Sequence, residues 1–404
     1  MSATNPDLNS GPLRDIKVVE LGTAIAGPMC GMLLGDMGAE VIKIESPRKG
    51  DDSRHWGQTV QGESPYFIQY NRNKRSVALN IKSDEGRNIL MKLMKESDVL
   101  IENFRPRTME KLGLSYEKVS KVNPRLVYCS VSGFGQSGPY SELGGYDAIM
   151  QGMSGLMAVT GEEGGPPLRV GAPITDILAA LYSAFAISLA IIARERTGKG
   201  QWIDVSLFES GLSAVAQWIT ISALTGKPMR RFGNRYPLLS PYETFSTKDL
   251  PIVVGVGNEE TWKRFCTAIQ REELTNDSRF KTNANRIAPE NRTALSKILQ
   301  SIFLTKSARH WIDLLWGAEI PSGTINSIED LAKDSHLRSR GAFASVKHRS
   351  LGEISIVTSM PKLLDTPGSV RLPPPTLGEH TKEVLRELGF PNGEISALKS
   401  KGII

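Results

Sequence analysis

One carboxylate, Asp176, stands where a turn-rich segment meets a long apolar run. Ahead of it Gly164, Gly165, Pro166, Pro167, Gly171 and Pro173 break both helix and strand. Behind it Ile177 to Ala193 is almost wholly apolar. Thr175–Asp176 is therefore predicted to open a helix, where a carboxylate meets backbone N–H groups that lack partners. Capping is the plain use of such a residue. A helix apolar all round belongs in the interior, however, so its first turn is expected to face a buried site. A carboxylate kept ionised there by backbone donors, and poorly hydrated, can act as a nucleophile.

A second set of residues could hold a polyanion. Lys43, Arg48 and Lys49 accompany the second strand pattern; Arg72, Lys74 and Arg75 precede the third; Arg105, Arg107 and Lys111 follow the fourth. Loops beyond the carboxyl ends of an open parallel sheet share a rim, and guanidinium and ammonium groups on such a rim can cradle phosphates. Other chemistries lack their residues. The first strand–turn–helix reads Gly22-Thr23-Ala24-Ile25-Ala26-Gly27, without the GxGxxG spacing of a dinucleotide site. Gly152-Met153-Ser154-Gly155 is not a GxSxG elbow. The five histidines are scattered, with no HxH or HExxH spacing, so no metal is expected.

The elements that must position these groups follow from the apolar patterning. Ile16 to Leu21, Val41 to Glu45, Ser76 to Leu79, Val99 to Glu102, Leu126 to Val131 and Trp202 to Val205 are predicted strands. Helix patterns lie between them, from Pro28 to about Met37 and from Asp84 to Glu96. This alternation predicts an α/β fold with a doubly wound, Rossmann-like parallel sheet. Leu207 to Leu224 is a second long apolar helix. The character changes near Thr225, and Pro228 to Pro241 is basic, aromatic and proline-broken. Residues 1–228 are expected to form the first part of a large domain, 229–330 a smaller α+β domain, and 331–404 a return to the large one.

At 404 residues two domains are the natural division. A net charge of +6 spread over that length argues against a dedicated nucleic-acid binder and suits a polyanionic small molecule. Three cysteines without a CxxC predict a reducing compartment and no disulfide framework. The first fifteen residues show neither a signal core nor a transit pattern, and the run from Ile177, interrupted by Tyr182, Ser183 and Ser188, reads as a core helix rather than a membrane span. The expected location is cytoplasmic, or mitochondrial in a eukaryote.

Several stretches, in order along nearly the whole chain, resemble the class III CoA-transferases. They are Leu13 to Glu20 with Ala26-Gly27-Pro28, Gly38 to Glu45, Asn71 to Ser76, Glu102-Asn103-Phe104-Arg105-Pro106, Ser132 to Tyr140, the Asp176 segment with Arg196 to Gln201, and Leu377 to Thr381. Gly50 to Gly57 and Ser154 to Gly161 are most similar to the succinyl-CoA:dicarboxylate branch. The resemblance implies a homodimer of two ring-like protomers threaded through each other, with acyl-CoA and a small carboxylic acid as substrates and no tightly bound cofactor. It implies that Asp176 is the nucleophile and passes through an aspartyl anhydride and an aspartyl-CoA thioester. It implies CoA contacts at Thr23, Ala24, Ile25, Lys74 or Arg75, Asn103, Phe104 and Lys111. The arginine this family carries after the second strand is Ser46 here, which moves that contact to Arg48 or Lys49. Ile25 replaces a glutamine of the formyl-CoA:oxalate branch.

The related α-methylacyl-CoA racemases use a histidine thirty positions before the aspartate; here that residue is Tyr146, beside Asp147. Proton exchange on both faces of a carbon then lacks its second base, which favours the transferase. Tyr146 is counted with the CoA contacts and Asp147 with substrate binding. In the small domain Arg231, Asn234 and Arg235 are candidates to hold the far carboxylate of a dicarboxylic acid.

Overall fold

The computed structural model describes residues 11–358 and 361–404. Its centre is a six-stranded sheet of β1 (Lys17–Glu20), β2 (Glu40–Glu45), β3 (Lys74–Ala78), β4 (Val99–Glu102), β5 (Val127–Ser132) and β6 (Trp202–Ser206). The strand order is β3-β2-β1-β4-β5-β6 and every pairing is parallel. Alternate side chains of each strand feed different cores. Val19, Ile42, Val77 and Leu100 pack on one face, where the helix Asp84–Lys95 contributes Ile89, Leu90, Leu93 and Met94. Val18, Val41, Val99 and Val127 pack on the other, against the helices Ala26–Asp36 and Ile174–Thr197. Burial on both faces is why these strands read as near-continuous apolar runs.

The chain divides into two compact units. The first comprises 1–157, 169–227 and 336–404, and holds the six-stranded sheet. The second comprises 158–168 and 228–335. It contains β7 (Tyr242–Phe245), β8 (Ile252–Gly255) and β9 (Ser322–Thr324), an antiparallel sheet covered by the helices Glu259–Ala268, Pro289–Phe303 and Ala308–Gly317. Its core is built on Phe245, Trp262, Phe265 and Phe303.

The C-terminal stretch closes the first unit. Main-chain bonds run from Asn73 N to Leu372 O (3.0 Å) and from Asn80 N to Ile403 O (2.7 Å). Val384, Leu385, Ile395 and Leu398, from the last two helices, join the core beneath β3. Two further strands, β10 (Phe343–His348) and β11 (Gly352–Val357), form a separate antiparallel pair rather than extending the main sheet.

Two boundaries differ from expectation in ways that matter for the site. β3 starts at Lys74, not Ser76, so Lys74 and Arg75 lie within the sheet. The long apolar helix starts at Ile174, which makes Asp176 its third residue. That helix ends at Gly198, whose φ of 72° favours a residue without a Cβ, and its N–H closes on Arg194 O at 2.8 Å.

Candidate active site

The order of the sheet reverses between β1 and β4, and ligands of open parallel sheets bind beyond the carboxyl ends of strands at such a point. There the turn after β1 meets the loop after β4 through a reciprocal pair. Thr23 N donates to Asn103 Oδ1, and Asn103 Nδ2 donates to Thr23 O, both at 2.8 Å. A cavity of about 790 Å³ opens at this junction, lined by Thr23, Ala24, Ile25, Asn103, Phe104, Arg105, Tyr146, Arg169 and Asp176 among others. A second, of about 250 Å³, is lined by Thr23, Ser46, Pro47, Gly50, Lys82 and Phe104. Thr23 and Phe104 are common to both, so the two adjoin.

Asp176 is not the cap of its helix. Pro173 occupies the cap position and has no side-chain acceptor to offer. Asp147 supplies one from another segment: its Oδ1 accepts from Thr175 N at 2.9 Å and from Thr175 Oγ1 at 2.8 Å. Its Oδ2 accepts from Gln151 Nε2 at 2.7 Å. Asp176 stands half-buried one residue further on, and among the described residues no donor reaches its carboxylate. Desolvation first, and the Asp147 charge second, push its pKa up to about 7. The expectation that backbone donors hold it ionised is thus corrected: burial without donors raises its basicity instead.

Beside Asp176 stand aromatic walls that the sequence did not flag, Trp56 and Tyr66, whose rings meet edge-on with centroids 5.4 Å apart. Burial, then Tyr70, Asp176 and Asp147, push the Tyr66 hydroxyl up to about 12, so it stays a neutral phenol. Tyr146 lines the same cavity and is 71% exposed. The residues lining this cavity include no histidine.

The basic residues separate sharply. Lys74 is fully buried; its Nζ lies 2.8 Å from Glu20 and donates to Pro28 O at 2.7 Å. Arg75 pairs with Glu40 (2.6 Å), Glu383 (2.8 Å) and Glu387 (2.7 Å). Neither lines either of these two cavities: both are strand residues whose charges are neutralised within the fold, which leaves neither free for the expected contact with CoA. Arg72 is likewise bound to Asp36, at 2.6 Å. Lys111 is exposed and lines neither cavity.

Arg48 and Lys49 are exposed and line neither cavity themselves, but they lie in the chain between Pro47 and Gly50, which line the smaller one. Arg105 and Arg169 line the larger one, and Lys82 the smaller. Arg169 and Lys82 were missed; the only signal for Arg169 was a cation within the Gly/Pro-rich approach to Asp176.

In the second unit Arg231 donates to Gly165 O, at 3.0 Å from Nε and 2.7 Å from Nη2. Arg235 lies between Glu163 (3.3 Å) and Glu243 (3.4 Å), and Asn234 Nδ2 donates to Thr244 Oγ1 at 3.4 Å. The two guanidinium groups therefore tie this unit's own loops, and neither is among the residues lining the cavity at Asp176. Asp147 does line the large cavity, with one oxygen accepting from Thr175 and the other from Gln151.

The mouse succinyl-CoA:glutarate CoA-transferase is 38% identical over 395 residues, covering 97% of this chain and 90% of that protein. An acetyl-CoA:oxalate CoA-transferase of Acetobacter aceti is 40% identical over 333 residues, covering 82% and 85%. The crystal structure of a CaiB/BaiF family protein from Brucella suis superposes with a TM-score of 0.83 at 38% identity, covering 94% of this chain and 100% of that one. The model of CoA-transferase family III matches residues 13–381, and a match of that extent, over a parallel sheet with its cavity at the switch point, means that the chain belongs to this family and is a CoA-transferase.

Proposed function

We propose that this enzyme moves coenzyme A from succinyl-CoA, or a similar dicarboxylyl thioester, to a second dicarboxylic acid, with Asp176 as the nucleophile. The observation that carries this reading is the state of that carboxylate: it lines the cavity, has no cap to form, and is poorly solvated. Such an oxygen attacks the thioester carbonyl carbon, the carbon–sulfur bond breaks, and CoA thiolate leaves behind an aspartyl-acyl anhydride. The thiolate then attacks the aspartyl carbonyl and expels the donor acid, giving an aspartyl-CoA thioester. The acceptor carboxylate repeats the sequence in reverse, and Asp176 is regenerated. An anhydride can pass its acyl group to thiol or acid, so the energy of the thioester is conserved.

The adjoining cavities support an elongated ligand. The acyl end belongs near Asp176, the pantetheine passes Thr23, Ala24, Ile25, Asn103 and Phe104, and the nucleotide end meets Lys82 with Arg48 and Lys49. For the free carboxylate of the acid the large cavity offers Arg169. Its Nη1 donates only to Val170 O and Gly171 O, both at 3.3 Å, and among the described residues it has no carboxylate partner. The named substrates of the relatives, glutarate and oxalate, are both dicarboxylates. The absence of histidine from the cavity lining disfavours the racemase alternative.

A second copy of the chain is part of the proposal. The helix Ile174–Thr197 is long and apolar enough to cross a membrane by length and composition, yet one turn after another leaves an apolar residue exposed: Leu181, Phe185, Leu189 and Ile192. Ile219 and Leu224 do the same on the helix Leu207–Thr225. An interlocked homodimer, as the family resemblance implies, would cover these faces. The reading is tested by exchange of labelled acid into succinyl-CoA. Asp176→Ala should abolish exchange while CoA still binds by calorimetry, and appreciable turnover in that variant would reject it.

A further inference from the structure

The turn that lines the large cavity after β1 contains Ala24 at a φ of 65°. Among the described non-glycine residues with positive φ, Ala24 alone lacks a polar side chain that could stabilise the conformation locally; the others are Gln61, Asn73, Arg107, Gln270 and Glu319. Its conformation is held from outside. Ala24 N donates to Asp51 Oδ1 at 3.0 Å, and the carbonyl two residues earlier, Gly22 O, accepts from Lys43 Nζ at 2.6 Å.

Asp51 and Lys43 belong to a buried charge cluster that the nucleophile chemistry does not use. Lys43 Nζ lies 2.9 Å from both Glu20 and Asp51, and Lys74 Nζ lies 2.8 Å from Glu20. Arg54 Nε lies 2.7 Å from Glu45, whose Oε2 also accepts from Asp51 N at 3.0 Å. Glu20, Glu45 and Asp51 thus balance Lys43, Lys74 and Arg54, and all six are buried. Buried ion pairs are poor stabilisers compared with apolar packing of the same volume, so stability alone is a weak reason to keep such a cluster. What this one does that apolar side chains cannot is make directional bonds to main chain on both sides of the turn: to Gly22 O, to Ala24 N and, through Lys74, to Pro28 O.

We propose that Asp51, braced by Lys43, is a positioning residue for CoA transfer: it locks Ala24 in the left-handed conformation and so fixes the shape of the cavity wall along which the pantetheine lies. The proposal rests on the reading that this cavity takes an acyl-CoA. An alanine that must be held in place gives a stiffer wall than a glycine, which would adopt the same angles unaided and leave them as readily.

The test compares Asp51→Ala, Asp51→Asn and the double variant Asp51→Ala with Ala24→Gly. Asp51→Ala removes the acceptor and should lower kcat/KM about tenfold, the scale set by forcing one L-residue left-handed. Asp51→Asn keeps Oδ1 and should fall between wild type and Asp51→Ala. Adding Ala24→Gly to Asp51→Ala should recover part of the loss, which no general damage to folding would allow. Hydrogen–deuterium exchange of residues 22–27, measured without substrate, should quicken in Asp51→Ala. Wild-type kcat/KM in Asp51→Ala, or no recovery from the glycine, overturns the proposal. Should Asp51→Ala not fold, Asp51→Asn with and without Ala24→Gly carries the same comparison, and no gain from the glycine again overturns it. Faster exchange in Asp51→Ala with no acyl-CoA turnover even in wild type would instead leave the lock standing and remove the functional reading.

Discussion

Asp147 caps the helix on which Asp176 stands, and it raises the pKa of the carboxylate whose helix it caps. It accepts two hydrogen bonds from Thr175, and its charge is the second cause, after burial, of the Asp176 shift. Two acids near one helix start have thereby separated their duties, one structural and one available for chemistry. Substituting Asp147 should therefore separate two effects. Asp147→Asn keeps an acceptor for Thr175 but removes the charge, so the acid limb of the kcat/KM profile should move to lower pH while the helix cap is retained. Asp147→Ala loses the cap as well and should also cost about 1 kcal/mol of stability. An unmoved acid limb in Asp147→Asn would show that its charge does not reach Asp176.

The pH dependence of the wild type follows from the same shift. With a pKa near 7 in the folded chain against an ordinary value of 3.8, Asp176 is mostly protonated below neutrality, and kcat/KM should fall as pH drops through about 7. The linkage to stability has a definite sign. The folded state binds the extra proton between those two values, so this group destabilises the fold increasingly as pH rises from about 4 through 7. Asp176→Asn should therefore be more stable than wild type at pH 8 and close to it at pH 4, as urea unfolding at the two pH values would reveal.

Arg169 and Arg235 make opposite predictions as receptors for the acceptor acid. Arg169 lines the cavity and has no carboxylate partner among the described residues, whereas Arg235 is held by Glu163 and Glu243. Arg169→Ala should raise KM for a dicarboxylate by roughly tenfold or more, the scale of a lost charge-assisted hydrogen bond, while sparing a monocarboxylate. Arg235→Ala should not discriminate between the two acids. Steady-state kinetics with glutarate and butyrate as acceptors decides it.

The exposed apolar faces give a prediction about assembly. Phe185 is 63% exposed and Ile192 54% exposed on one helix face. Phe185→Glu with Ile192→Glu should shift the mass seen by light scattering from dimer to monomer or to misassembled species. A wild type that runs as a stable monomer would dismiss the second copy altogether.

How much of this was legible in the sequence depends on what each residue's signal was. The strands of the parallel sheet announced themselves as apolar runs, because both faces are buried. Asp176 stood out because only a cavity or a cap explains a carboxylate at the head of so apolar a helix. That Asp147 is the cap was not readable, since the bond spans 28 positions and depends on how two segments meet. Lys74 and Arg75 misled for a related reason. A run of cations before a strand resembles a phosphate loop, and nothing local tells that Glu20, Glu40, Glu383 and Glu387 will neutralise them. Arg231 and Arg235 are the same case in the second unit. Charge in a sequence is visible; whether it is spent inside the fold is a tertiary property.

The most direct test of the central claim is covalent. The enzyme is incubated with succinyl-CoA, treated with borohydride or hydroxylamine, digested, and the peptide carrying Asp176 is weighed. The account predicts that this side chain is reduced or converted to a hydroxamate only after exposure to the thioester. An unmodified Asp176 under conditions where acyl exchange proceeds would contradict it.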